Sequence, residues 1–419
     1  MNYAALSLVF LIGAILIGFF RKINMGFVAF GLSLVLAQIA GVKSGTVITG
    51  FPTKLFVTLL GVMFLFSIAQ QNRTLELLAR KIVNMAGNRT NLIPIIVYIF
   101  STILAGVGPG TVPVMSLMAV FTCSLAAEMK TSPVLLSATS VLGAAAGGLT
   151  PIAPTGILGL SLAEEQGITG IEFPYAANMV MAMTVYFIVI YIVLKGYRLK
   201  SAVDLSVKEK ISFNTQQKIT LVGIAVLVVT VIFMGFDVGL MSYTIAFVLL
   251  LFRVADEKKS VASIPWGTLL MISGINMLMA LVIQLGGIDL LASGLAKLMS
   301  PVTAPGVMGL TAGIMSWFSS TTGVVMPALI PTITGILEQF PGAGYAPLIT
   351  SITITSFLAA FSPASTGGAG IMAQYAIFTK DKGDQDTNKL FVRLFLTSIV
   401  SVLVSVVFAF VGVYSIFQF

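Results

Sequence analysis

The sequence predicts an all-α polytopic membrane protein of about ten crossings, arranged as an inverted-repeat transporter with two re-entrant hairpins and two interrupted helices. Three observations predict it. First, the 419 residues are 57% hydrophobic and 9% charged, with a mean hydropathy of +1.04, and every polar stretch is shorter than the ~50 residues a soluble domain needs. Second, the apolar segments recur in the same order in both halves. Third, of the 23 Lys and Arg, all but Lys43, Lys54 and Lys297 fall on one face once the segments are counted off. Basic residues collect on cytoplasmic loops in this way.

The first repeat, 1–195, opens with apolar segments at 3–20, 26–41 and 54–70. Crossing a bilayer takes about 20 residues at a rise of about 1.5 Å each. Arg21 and Lys22 follow the first segment and no basic residue precedes it, so it reads as a retained helix rather than a cleaved leader. Residues 71–91 carry Leu75, Leu78, Ile82 and Met85 at three- and four-residue spacing, which predicts an amphipathic surface helix closing the scaffold part, 3–91. Two shorter runs, 92–107 and 111–127, meet at Gly108, Pro109 and Gly110 and form a hairpin over 92–127. A segment at 133–160 is interrupted by glycines and prolines over 147–156, and a clean helix follows at 177–195.

After a charged cytoplasmic linker, 196–218, the plan repeats over 219–419: scaffold helices within 219–299, a hairpin over 302–338, a broken helix at 347–377 interrupted at 362–370, and a last helix at 390–417. Neither arm of the second hairpin, 302–316 or 324–338, is long enough to span. Local echoes support the duplication. Val114 and Met115 match Val325 and Met326, Thr139 and Ser140 match Thr355 and Ser356, and Pro133 matches Pro347, at offsets of 211, 216 and 214. Five crossings per half make the halves inverted. The charge bias then places both termini outside a cell inner (plasma) membrane.

Chemistry is limited by what is missing. There is no histidine, and the single cysteine, Cys123, excludes a disulfide or thiolate cluster. All 15 acidic residues fall in loops, surface helices or segment ends. An integral membrane enzyme therefore has few candidates for its acid, base and nucleophile, and a proton carrier has no evident intramembrane ionisable group of the kind it ordinarily uses. The net charge of +8 is spread as membrane anchors, which removes a nucleic-acid partner.

What remains at depth is backbone and hydroxyl oxygen at the two tips and the two breaks. Oxygen suits a hard cation, and Na⁺ is the expected coupling ion, held by Gly108, Gly110, Thr111, Gly147, Gly148, Ser319, Ser320, Thr322, Gly323 and Ser365. The N-terminal ends of half-helices offer free N–H groups to an anion. Thr111, Thr150, Pro151, Thr155, Thr321, Ser362, Pro363, Thr366 and Gly367 are the expected substrate contacts. Each has a plainer alternative: Ser and Thr can bond back to their own helix, and Gly143, Gly147 and Gly148 can serve close packing. Asn276 and Gln284 read as interhelical hydrogen-bonding partners.

The run Gly143-Ala144-Ala145-Ala146-Gly147-Gly148-Leu149-Thr150-Pro151-Ile152-Ala153-Pro154-Thr155 resembles the malonate-carrier (MatC) type of dicarboxylate transporter. The order of elements resembles the ion-transporter superfamily of divalent-anion/sodium symporters. The resemblance implies Na⁺-coupled symport of small carboxylates, of the malonate or C4-dicarboxylate type. It also implies a homodimer whose arms and outer helices stand fixed in the bilayer while hairpins and broken helices move as an elevator. Tips in that family carry Ser-Asn-Thr, whereas here they read Pro109-Gly110-Thr111 and Ser320-Thr321-Thr322, with no asparagine. The membrane subunit of a TRAP-type carboxylate transporter and a proton-coupled carboxylate carrier are the alternatives.

Overall fold

The computed structural model describes residues 2–84, 89–129, 133–199, 212–363, 365, 367–369, 371–372 and 384–417. Among them every regular element is helical, as expected of a chain whose backbone polar groups must be satisfied without water. The first repeat comprises α1 (Tyr3–Arg21), α2 (Met25–Ala40), α3 (Ser44–Thr49), α4 (Thr53–Gln71), α5 (Thr74–Asn84), α6 (Ile93–Gly106), α7 (Thr111–Glu128), α8 (Pro133–Gly147), α9 (Pro154–Glu164) and α10 (Glu172–Val193). The second comprises α11 (Thr215–Met234), α12 (Val238–Leu251), α13 (Glu257–Ala262), α14 (Trp266–Gln284), α15 (Gly287–Ala296), α16 (Ala304–Phe318), α17 (Thr321–Gln339), α18 (Tyr345–Ala359) and α19 (Asp384–Phe410).

The duplication is visible element by element. Starts at Ser44 and Ser44's counterpart Glu257, at Thr53 and Trp266, and at Thr74 and Gly287 are each separated by 213 residues. The short helices α3 and α13 were not anticipated from hydropathy, because six residues carry too little periodicity. One expectation is corrected: α17 is a continuous 19-residue helical stretch, apolar and long enough to cross a membrane by length and composition. The hydroxyls of Thr321 and Thr322, read as an irregular tip, instead form its first turn.

Packing obeys the same two-fold logic. α6 lies along α8 and α16 along α18, while α2 packs on α14 and α12 on α4, across the repeats. The crossings are made by paired glycines. A Cβ at Gly26 would stand 2.2 Å from the Leu270 carbonyl and one at Gly274 2.3 Å from the Gly26 carbonyl. Their counterparts 213 residues away, Gly239 and Gly61, meet likewise, a Cβ at Gly61 falling 2.4 Å from the Gly239 carbonyl. Small residues let helix backbones approach where no hydrophobic force separates helix from lipid.

Equivalent helix ends differ between the two repeats. The non-glycine residues with positive φ among those described are all basic and follow helices or their last turns: Lys22 (φ 55), Arg73 (φ 60), Lys195 (φ 54) and Arg253 (φ 51). At the corresponding ends in the other repeat stand Gly235, Gly286, Gly412 and Gly41, with φ from 68 to 78. Left-handed backbone is free to glycine and costs other residues about 1–2 kcal/mol, partly offset by a cation at a helix C-terminus.

Candidate functional site

The first hairpin turns at Gly108 (φ 146) and Gly110 (φ 80), conformations that favour glycine, and α7 begins directly afterwards with Thr111. Gly108 is pressed onto α4, since a Cβ there would meet the Phe66 ring at 2.1 Å. The helix break after Gly147 lets α9 restart at Pro154 in the N-terminal position where proline loses no hydrogen bond. Thr111 Oγ1 and Thr155 Oγ1 thereby meet at 3.2 Å, both buried. Thr150 Oγ1 donates to the Gly106 carbonyl at 2.5 Å, fastening break to hairpin, and the Gly156 amide donates to the Gly148 carbonyl at 2.9 Å across the break itself. The two glycines at the break separate in role. A Cβ at Gly147 would stand 1.9 Å from the Thr102 carbonyl on α6, while one at Gly148 would stand 2.0 Å from Thr111 Oγ1.

In the second hairpin α16 ends at Phe318, Ser319 is extended, and Ser320 caps α17 by accepting from the Gly323 amide at 3.1 Å. α17 opens with a π-helical turn, Thr321–Val325, a local widening that recurs at functional sites. Thr321 Oγ1 donates to the Ser356 carbonyl at 3.1 Å, and Ser316 Oγ donates to the same oxygen at 2.7 Å. Ser362 Oγ donates to the Trp317 carbonyl at 3.0 Å, and Ser365 Oγ to Ala360 at 3.4 Å. Ser319 Oγ bonds back to Met315 at 2.6 Å, as in the plainer reading of this stretch. Ser320 Oγ lies 3.5 Å from Thr322 Oγ1.

The two hairpins meet at one cavity. Gly110, Thr111, Pro154, Thr155 and Thr322 line a space of about 20 Å³, together with Met63 of α4 and Pro265, Thr268 and Ile272 of the α14 end. A larger cavity of about 170 Å³ shares Met63, Pro109, Val112, Pro113 and Pro265, and reaches Ser67, Gln70, Ser116 and Ser263. The lining of both, among the described residues, contains no charged side chain. Polarity comes from hydroxyls and from the starts of α7, α9 and α17, where the Gly156 and Gly323 amides are already taken by the Gly148 carbonyl and Ser320 Oγ. No group of three or more His, Cys, Asp or Glu able to hold a metal occurs among the described residues.

Of the expected contacts, the structure therefore gathers Gly110, Thr111, Thr155 and Thr322 around one space. Gly148 presses against Thr111 in its wall, while Gly108 packs on Phe66 and Gly323 on Met271. Thr150, Ser319, Thr321, Ser362 and Ser365 spend their hydroxyls on bonds that hold the tips and breaks. Gly367 packs on the Ala360 carbonyl, Pro363 is half-buried and Pro151 is exposed; Thr366 lies outside the described residues. Thr268 and Met63 were missed, because a threonine and a methionine inside long apolar runs carry no spacing signal. Pro265, one turn before Thr268, was the available hint. Asn276 donates to Ile272 in its own helix at 2.8 Å and Gln284 is exposed, so neither expectation of an interhelical bond holds for the described contacts.

The fold is shared with a solved membrane transporter. The crystal structure of the Alcanivorax borkumensis YdaH transporter, described as having an unusual topology, matches with a TM-score of 0.58 at 14% identity, over 88% of this chain and 87% of that one. Residues 1–148 match the family model for the dicarboxylate carrier protein MatC N-terminus, the family that the glycine-rich run resembles. No curated protein matches the sequence.

Proposed function

We propose that the protein is a secondary active carrier that moves small dicarboxylates, of the malonate or C4 type, together with Na⁺ across the cell inner membrane. The observation that carries this reading is the convergence of three helix starts, α7, α9 and α17, with the hydroxyls of Thr111, Thr155 and Thr322 on one uncharged cavity. Helix N-termini favour carboxylate oxygens, and hydroxyl and carbonyl oxygens suit Na⁺. A dianion entering such a cavity alone would lose hydration against partial charges only, so Na⁺ binds first and supplies full positive charge.

Hairpins and broken helices form the moving body in this reading, and α4 and α14 the fixed wall, within a homodimer whose termini lie outside. Each net positive charge carried inward adds about 2.3 kcal/mol per 100 mV to the driving force. The larger cavity, beside Gln70 and Ser263 at the basic face, is then the path to the cytoplasm. Uptake of labelled malonate and succinate into proteoliposomes under a Na⁺ gradient, a proton gradient or neither tests this. Na⁺-driven uptake is the expected result; uptake driven by pH and indifferent to Na⁺ would overturn the coupling.

A further inference from the structure

We propose that the groove between α4, α5, α6 and α11 holds an acyl chain of an anionic phospholipid whose headgroup lies between Arg73 and Lys218. The groove encloses about 250 Å³ and every lining side chain is apolar, among them Leu75 and Leu78 of α5, Ile99 and Ile103 of α6, and Leu221 and Ile224 of α11. Ile99 and Ile103 are 50% and 59% exposed, an apolar wall left open beside a bilayer. Along α6 the lining runs from Ile96 to Val107, about 16 Å at a rise of about 1.5 Å per residue. That is about half of a hydrocarbon core about 30 Å thick, the depth of one leaflet.

A polar clamp closes the groove at its surface end. Asn72 Nδ2 donates to Thr220 Oγ1 at 2.7 Å and Gln217 Nε2 donates to the Asn72 carbonyl at 3.1 Å. These bonds bring Arg73 next to the turn that carries Lys218, itself one turn before Leu221. Both cations are exposed, and among the described residues neither has a carboxylate within ion-pair distance. Glu76, the acidic residue of α5, is engaged by Arg80 at 3.5 Å; Lys81 lies over the Phe213 ring. The flanking charge is therefore positive, complementary to a phosphate.

The duplicated fold provides an internal comparison. Positions 213 residues from Asn72, Arg73 and Lys218 are Leu285, Gly286 and Ala5, packed the same way, with Gly286 beside Ala4 and Gly287 against Ser7. The second junction has no such clamp and no basic residue at these positions. It also has glycine (φ 76) where the first has arginine at φ 60. An arginine thus stands at a position where glycine would be conformationally easier, on the face where a phosphate can reach it.

The test reconstitutes the full chain in vesicles of equal phosphatidylglycerol and phosphatidylcholine, extracts it in mild detergent and quantifies retained lipid by mass spectrometry. Wild type is expected to retain phosphatidylglycerol over phosphatidylcholine. Arg73→Gly, which relieves the backbone, and Lys218→Gln should each lower that retention about fivefold, the effect of one basic residue near an anionic surface, without lowering the melting temperature. Ile103→Trp, filling the groove, should abolish it. Lys22→Gly makes the same exchange at a left-handed basic position away from the groove and should leave retention unchanged. Equal retention of both lipids, equal loss in Lys22→Gly, or full retention in Ile103→Trp would each overturn the site, as would a wild type that keeps no phosphatidylglycerol because a second copy covers the groove.

Discussion

Thr111 and Thr155 touch hydroxyl to hydroxyl at 3.2 Å, joining the tip of the first hairpin to the restart of the helix behind it, with Gly148 as the floor beneath Thr111. Only one of the two hydroxyl hydrogens can lie between the oxygens, so lone pairs are left on the pair for a third party. Thr111→Val, nearly isosteric but without that oxygen, is expected to raise the Na⁺ concentration needed for half-maximal uptake several-fold while the melting temperature falls by no more than one neutral hydrogen bond allows, about 1 kcal/mol. Thr322→Val should act likewise. Unchanged Na⁺ dependence in both variants would make the tips structural.

The neighbouring glycines should separate function from packing. Gly148→Ala drives a methyl to within 2.0 Å of Thr111 Oγ1, whereas Gly147→Ala drives one to within 1.9 Å of the Thr102 carbonyl. A hydroxyl on a side chain can rotate away, while helix backbone cannot. Gly148→Ala should lose uptake with little change in thermal stability, and Gly147→Ala should lower stability by about 1–3 kcal/mol, the usual cost of overpacking. Thermal denaturation in detergent alongside uptake in vesicles checks both.

Lys54 on α4 and Glu164 at the end of α9 form an ion pair at 3.0 Å, with side chains 77% and 57% exposed. Such a pair adds little to stability, under about 1 kcal/mol, yet it bridges the proposed fixed wall and moving body. Cysteines at both positions, in a Cys123→Ser background, should cross-link under oxidation and stop uptake, with recovery on reduction. Uptake that continues in the fully cross-linked protein would rule out motion between α4 and α9.

Glu165, next in the chain and exposed at the surface, is held above the usual carboxylate range by partial desolvation first and by the neighbouring Glu164 second. The folded protein thus favours the protonated carboxyl. Its contribution to stability is fully present below the unfolded value and is lost as pH rises through the raised folded value. Glu165→Gln should therefore raise the melting temperature at neutral pH and leave it unchanged in acid, measured across a pH series.

The larger design was legible in sequence because hydropathy and charge report directly on the membrane: the apolar segments, the surface helix at Leu75, and the broken tip at Gly108-Pro109-Gly110 all fall within elements of the fold or at their ends. The second tip was only partly legible. Ser319, Ser320, Thr321 and Thr322 are alike in composition, but one bonds back to its helix, one caps, one reaches Ser356 and one faces the cavity. Which hydroxyl points where depends on the π-helical turn at Thr321, and on a partner 35 residues away, neither of which leaves a local pattern. Thr268 escaped for the same reason: its role comes from α14 lying across the hairpin tips.

Gly26 against Gly274 and Gly61 against Gly239 seat α2 on α14 and α12 on α4, so each half of the molecule completes the other's core. A ribosome delivers these partners in sequence. When α2 and α4 reach the bilayer, the helices they must lie against are still more than a hundred residues from synthesis. The first half must therefore wait in lipid with its glycine faces unpaired, and final assembly is an event of the finished chain rather than a stepwise docking of each helix as it emerges.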